Sequence, residues 1–393
     1  MVFSEVLGMD SCTIEGDSQV MVKILPKFLV QPGSDVDDER NNKETSTSFP
    51  QKKKQKKNTD TIPFILTVTS KSPNTSYSSS SSSSASFDEL PRETWWENVD
   101  LYKCDGFWYG LPHLVAAMEA QSSFKARDDD VLLASSMKTG TTWLKALIPC
   151  IMDPYARLLN DDDDGYQDPL IQSHPNELIP SLEIQIFAEN STYDVSGMPS
   201  PRLFRTHLPY TKLPESIKSP GNSKIVYITR NPKDTFVSLW HFFNSIRTVE
   251  QGPLPLIQMF DKFCNGVHAF GPFHNHVLEY WNESVKRPEN ILFLKYEELK
   301  RDPRGEVKKL ALFLGRPFGK EEEVDKVLWR CSFDRLKSLE VNRHGVDTWA
   351  GFPKTAYFRL GVVGDWKNSL TEEMKERLDQ ITSKKMEGSE LDL

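Results

Sequence analysis

Residues 134–143 read ASSMKTGTTW. A short apolar run, VLLA (131–134), leads straight into this stretch. A helical spacing then begins in TTWLKALIPCIM (141–152), with Trp143, Leu144, Leu147, Ile148 and Ile151 apolar. The pattern predicts a buried strand, a tight turn and a helix. Backbone N–H groups at a helix N-terminus point into such a turn, and the helix dipole favours an anion there. Gly140 lets the backbone come close. Lys138 adds a mobile positive charge, and Thr139, Thr141 and Thr142 offer hydroxyls. These parts suit a phosphate or a sulfate.

The usual nucleotide-triphosphate loop is a poor match. Its pattern G-x-x-x-x-G-K-[ST] places lysine after glycine, whereas Lys138 precedes Gly140, and no glycine lies five residues before the lysine. That loop also works with a strand ending in aspartate, which helps to hold magnesium. The β-branched run KIVYITR (224–230) ends in Arg230 instead. An arginine there binds phosphate directly, without a metal.

Around that arginine, ITRNPKDTFVS (228–238) carries an N-cap in Asn231 and a first-turn proline in Pro232. Arg230 therefore stands at the C-terminal edge of a strand, beside a new helix. Open α/β sheets bind ligands at that edge. Ser238 falls two turns into the helix, off the Phe236, Trp240 and Phe243 stripe. In RLFRTHLPY (202–210), His207 ends another candidate strand and Pro209 turns the chain out. A strand-end histidine is well placed as a general base. Of the other histidines, His113, His174 and His344 read as loop residues, and His241, His268, His274 and His276 as helical. None has a metal-ligand spacing. Near the C-terminus, FRLGVVGDWKN (358–368) is rich in turns and includes Arg359, Gly361 and Gly364.

Further strands and helices alternate: ILFLKY (291–296), GEVKKLALFLG (305–315), EEEVDKVLWRCS (321–332) and TEEMKERLDQITSKKM (371–386). This alternation predicts a single α/β domain, with a mainly parallel central sheet flanked by helices and the anion loop after its first strand. Composition changes near residue 87. Before it stand QKKKQKK (51–57) and a serine-rich tract, SPNTSYSSSSSSSASF (72–87). Residues 1–87 read as a disordered low-complexity tail and 88–393 as the folded domain. The acidic DDDDG (161–165) reads as a solvated loop.

The chain has 393 residues and a formal net charge of −8, which argues against a nucleic-acid-coating protein. No apolar run approaches the roughly 18 residues of a membrane span, and no secretory h-region opens the sequence. Five scattered cysteines without a C-x-x-C spacing suggest reduced thiols in the cytoplasm.

Taken together, KTGTTWLKAL (138–147), RTHLPYTKLP (205–214), YITRNPKDTFVS (227–238) and FRLGVVGDWKN (358–368) resemble the cytosolic sulfotransferases, in particular the plant branch. The resemblance runs from about Trp95 to the C-terminus. It implies transfer of a sulfuryl group from 3′-phosphoadenosine 5′-phosphosulfate (PAPS) to a hydroxyl of a small metabolite, such as a flavonol, hydroxyjasmonate, steroid or desulfoglucosinolate. It also implies no metal, and a monomer or weak homodimer in the cytoplasm. Lys138, Thr139, Gly140, Thr141, Thr142 and Trp143 would hold the 5′-phosphosulfate, and Arg230 and Ser238 the 3′-phosphate. Tyr296, Cys331, Ser332, Phe333, Arg359, Leu360 and Gly361 would complete the cofactor contacts. His207 would be the base, and Lys138 would meet the charge on the leaving phosphate. GFWYG (106–110) and the segment 349–352 would contribute to the acceptor pocket.

Four positions depart from the family pattern. Met137 replaces a proline, Arg205 a common lysine and Leu360 a lysine, while Glu372 replaces the valine of the dimer motif. A nucleotide-dependent phosphotransferase, which a magnesium requirement would set apart, and a non-catalytic PAPS-binding module are the competing functional readings.

Overall fold

The computed structural model describes residues 87–393 except 97–98, 159–166, 189–190, 192, 220 and 222. The expectations for the lysine cluster and for most of the serine tract, and that for the acidic run 161–165, lie outside the described residues.

Strands β1 (Arg92–Trp96), β2 (Val99–Cys104) and β3 (Phe107–Tyr109) form a small antiparallel sheet that the sequence reading did not resolve. Helix α1 (Leu111–Ser123) follows. The central sheet is built from β4 (Val131–Ser135), β5 (Leu203–Thr206), β6 (Lys224–Thr229) and β7 (Ile291–Lys295), in the order β5-β4-β6-β7. All of its pairings are parallel. The next strand in the chain after β4 lies on one side of it, and the one after that on the other. A topological switch point of this kind leaves a crevice at the C-terminal strand ends.

Every residue of β4 is buried, as expected of a parallel strand covered on both faces. The pleat sends alternate side chains to opposite faces. Leu132, Ala134, Ile225 and Tyr227 join one core; Val131, Leu133, Val226 and Ile228 join the other. Helix α2 (Thr141–Met152) packs Leu144, Leu147, Ile148 and Ile151 into the second core. Helix α3 (Pro232–Asn244) packs Phe236 and Phe243 into the first, with Trp240 half-buried at its rim.

Helices Pro303–Phe313, Glu321–Arg330 and Glu372–Met386 match the expected segments within a few residues. Two histidine placements differ from expectation. His113 lies inside α1, and His268 lies in a turn after the helix Leu256–Cys264. Cys150, Cys264 and Cys331 are free thiols, but Cys104 is disulfide-bonded, contrary to the expectation of reduced thiols throughout.

Candidate active site

The turn between β4 and α2 is built around two left-handed residues, Lys138 (φ 66°) and Gly140 (φ 112°). Gly140 is required on two counts. Its φ is costly for any residue with a side chain, and a Cβ there would lie 2.7 Å from the Tyr296 ring. Thr139 is fully buried, and its hydroxyl lies 2.9 Å from the Ser136 carbonyl and 3.0 Å from the Ile228 carbonyl. That side chain ties the turn to β6 and leaves its N–H as the group available to a ligand. The Thr141 hydroxyl shares a 2.7 Å hydrogen bond with Ser135.

Lys138 stands half-buried with its ammonium 3.9 Å from the Phe242 ring centroid and 5.5 Å from that of Tyr357. Burial lowers its pKa to about 7, and the nearby Arg230 and Arg359 cations push the same way. A cation held at this cost is a receptor for negative charge.

Arg230 follows β6 and is 7% exposed. Its guanidinium lies over the Tyr296 ring at 4.6 Å, donates to the Val362 carbonyl at 2.7 Å and pairs with Asp234 at 3.4 Å. Its Nε–H is buried without a hydrogen-bond partner. Buried donors in native proteins are nearly always satisfied, so this one calls for an acceptor from outside the chain. Asp234 also receives the Gly364 N–H at 2.7 Å and the Trp366 N–H at 3.0 Å, which docks the C-terminal loop against α3. In that loop Gly361 lies against the Phe333 ring, leaving no room for a side chain. Arg359 pairs with Asp365 at 2.6 Å. Leu360 is 45% exposed.

Tyr296 meets Trp143 edge-on at 6.1 Å, and the buried indole N–H of Trp143 also lacks a partner. Cys331 is buried at the end of the helix Glu321–Arg330, and Ser332 caps the short helix that begins with Phe333. Ser238 is half-buried on α3.

His207 directly follows β5. Its Nδ1 lies 2.8 Å from the Ser135 carbonyl oxygen, so Nδ1 carries the proton and Nε2 keeps its lone pair. Burial, then the neighbouring Arg205 cation, lowers the imidazole pKa to about 3 and keeps the ring neutral. The backbone around it is clamped. Glu183, 1% exposed, accepts the His207 N–H at 2.8 Å and the Thr206 hydroxyl at 2.9 Å. His276 donates from Nε2 to the His207 carbonyl at 3.0 Å, and its own Nδ1 accepts from Tyr227 at 2.9 Å. Glu183 sits in a one-turn π-helix, Leu182–Ile186, a distortion common near functional sites. Neither that turn nor Glu183 has a signature in the sequence. Asp234 was visible in the KDTF segment, but nothing marked it as the clamp of a loop 130 residues away.

The two expected acceptor segments differ in exposure. Phe107, Trp108 and Tyr109 are buried in β3. Phe352 stacks on Phe242 at 4.0 Å, directly behind Lys138, and Trp349 is 44% exposed. Among the described residues, no cluster of His, Cys, Asp and Glu has metal-site geometry. Nor is any helix among them long and apolar enough to cross a membrane.

A parallel sheet with an anion loop at its switch point, an arginine with a free buried donor and a neutral strand-end imidazole defines an α/β group-transfer site for an anionic donor. Comparisons with known proteins narrow the class. Residues 128–390 match the sulfotransferase domain family. Cytosolic sulfotransferase 15 of Arabidopsis thaliana is 43% identical over 313 residues, which span 77% of this chain and 85% of that protein. Cytosolic sulfotransferase 5 of the same plant is 42% identical, over 77% and 93%. Among solved structures, a putative steroid sulphotransferase from Arabidopsis thaliana superposes with a TM-score of 0.62 at 35% identity, covering 78% of this chain and 93% of that one. Mouse sulfotransferase SULT7A1 complexed with PAP gives a TM-score of 0.55 at 30% identity, over 74% and 95%. The chain belongs to the sulfotransferase family, within its plant cytosolic group.

Proposed function

We propose that this protein transfers a sulfuryl group from PAPS to the hydroxyl of a small plant metabolite in the cytoplasm, with His207 as general base. The observation that carries this reading is the hydrogen bond from His207 Nδ1 to the Ser135 carbonyl. It joins the base to the residue that leads into the lysine turn, and it leaves Nε2 free to accept a proton. The chain's relatives are named cytosolic sulfotransferases, and one structural neighbour is a complex with PAP.

The residues present fit the donor. Lys138 and the backbone N–H groups of 138–142 would hold the 5′-phosphosulfate, while the Trp143 N–H is taken by the Gly140 carbonyl. Arg230, through its unpartnered Nε–H, takes the 3′-phosphate together with Ser238. Trp143 and Tyr296 are aromatic neighbours of the turn, and the loop with Arg359, Leu360 and Gly361 packs on Phe333, beside which the adenosine part of the donor would lie. PAPS supplies a sulfuryl group on an anhydride with a good leaving phosphate.

At the acceptor, His207 Nε2 withdraws the hydroxyl proton as the oxygen bonds to sulfur and the bond from sulfur to the 5′-phosphate oxygen breaks. Lys138 meets the charge that grows on that departing oxygen. Transfer of this kind depends chiefly on positioning and charge stabilisation. No step calls on a metal.

The direct test is turnover of labelled PAPS against a panel of flavonols, hydroxyjasmonates, steroids and desulfoglucosinolates, with chelator present. Labelled sulfated product is expected. Transfer that depends on magnesium, or PAPS binding with no transfer to any acceptor, overturns the reading.

A further inference from the structure

The reading above leaves the burial of Lys145 unexplained. It lies on α2 among Leu144, Ala146, Leu147 and Ile148, all of them buried, and is itself 3% exposed. A leucine would fill such a position without the cost of burying a charge, so packing alone does not account for a lysine.

Its ammonium donates to the Oδ1 of Asn176. Asn176 in turn donates from Nδ2 to the Asp347 carboxylate at 2.5 Å. Asp347 receives the Trp349 N–H at 3.0 Å and the Ala350 N–H at 2.8 Å, and its own N–H donates to the Phe352 carbonyl at 2.8 Å. The tight turn held in this way carries Phe352, whose ring stacks on Phe242 behind Lys138. The circuit closes on Tyr357. Lys145 Nζ is 5.6 Å from that ring centroid and Lys138 Nζ is 5.5 Å from it. One aromatic ring thus serves two ammonium groups, one in the donor turn and one in the buried circuit.

We propose that Lys145 is a positioning residue for sulfuryl transfer: through Asn176 and Asp347 its side chain holds the 347–352 turn, and with it the Phe352 ring that stacks on Phe242 beside Lys138. This inference rests on the sulfuryl-transfer reading. The charged and titratable groups around Lys145 come from every neighbouring element: Arg205 and His207 from the β5 edge, Lys138 from the turn before α2, His174 beside Asn176, and Asp347 and Tyr357 from the C-terminal segment. Burial and Arg205 push the Lys145 ammonium down, and Asp347 pushes it up. At His207, the Lys145 cation acts in the same direction as Arg205, against the imidazolium.

The test uses the full chain with saturating PAPS and follows kcat/KM for a hydroxylated acceptor against pH. Lys145→Met and Lys145→Gln both remove the charge, one keeping the shape and the other the hydrogen bond to Asn176. Lys145→Arg keeps the charge. Across the profile, kcat/KM is expected to fall roughly tenfold or more in Lys145→Met, which breaks the bond to Asn176, and to recover largely in Lys145→Gln and Lys145→Arg, which keep a donor there. Thermal melts identify which neutral variants fold, and PAP affinity should change only a few-fold. Undiminished turnover in Lys145→Met, or an equal loss in all three variants, overturns the proposal: the first outcome makes Lys145 merely structural, and the second makes the loss an effect of packing. If the wild-type protein transfers no sulfuryl group at all, the function reading fails instead.

Discussion

His207 Nδ1 lies 2.8 Å from the carbonyl oxygen of Ser135, and this one contact fixes which nitrogen of the ring can take a proton. Ser135 ends β4 and His207 follows β5, so the paired strands place His207 and the lysine turn at the same end of the sheet. His207→Ala removes the imidazole and its Nε2 lone pair and leaves the residues of the lysine turn unchanged. The expected result is a fall in turnover of roughly 10²–10⁴-fold, with PAP affinity nearly unchanged. Labelled-PAPS turnover and a PAP titration measure the two separately. Undiminished turnover, or a loss confined to PAP affinity, would remove His207 from the base role.

Arg230 has the complementary signature. It is buried, already committed to Val362 and Asp234, and still has a free Nε–H. Replacing it with alanine deletes a charge-assisted hydrogen bond of about 1.5–3 kcal/mol. PAP affinity should fall by about tenfold to a hundredfold, and kcat at saturating donor should fall much less. Calorimetric titration with PAP measures the first and saturation kinetics the second. A kcat defect at unchanged affinity contradicts the assignment.

The sheet and the donor turn were legible because their signals are local. A fully apolar VLLA, a glycine six residues further on and a helical period that starts directly after it can fold in few ways, and the structure follows them to within a residue. His207 and Arg230 were readable for the same reason, each sitting where a strand pattern stops. Glu183, Asp234 and the Lys145–Asn176–Asp347 circuit were not. Their partners lie 24, 130 and 171 residues away, respectively, and periodicity carries no information over such separations. The small antiparallel sheet was missed because its strands are short, at most six residues, and share no burial pattern: β1 runs from exposed to buried, β2 mixes buried and half-buried positions, and β3 is wholly buried.

Gly140 offers a test of the turn itself. Gly140→Ala adds a Cβ at φ 112° and within 2.7 Å of Tyr296. Strain of this kind costs on the order of 1–3 kcal/mol, and relieving it displaces either Lys138 or the Tyr296 ring under Arg230. Lowered thermal stability and weakened PAP binding are expected together. Gly197→Ala is the control, since no atom lies within 4 Å of its added methyl and its φ is not positive. Equal melting temperatures and PAP affinities for the two variants would show that the turn tolerates a side chain.

Lys138 gives the site its pH dependence. Burial, with Arg230 and Arg359 nearby, lowers its pKa from an ordinary 10.5 to about 7. The unfolded chain therefore binds this proton more tightly than the folded one between about pH 7 and 10.5. The free protein gains stability from Lys138 as pH rises through that window, and below pH 7 the penalty is fully in force. An anion in the turn reverses the balance by favouring the ammonium. PAP binding near pH 8 should therefore take up as much as one proton, and Lys138→Met should lose most of that uptake. Calorimetry of PAP binding in two buffers of different ionisation enthalpy counts the protons. Proton release, or an uptake that Lys138→Met leaves unchanged, would mean that the lysine is not the group that meets the anion.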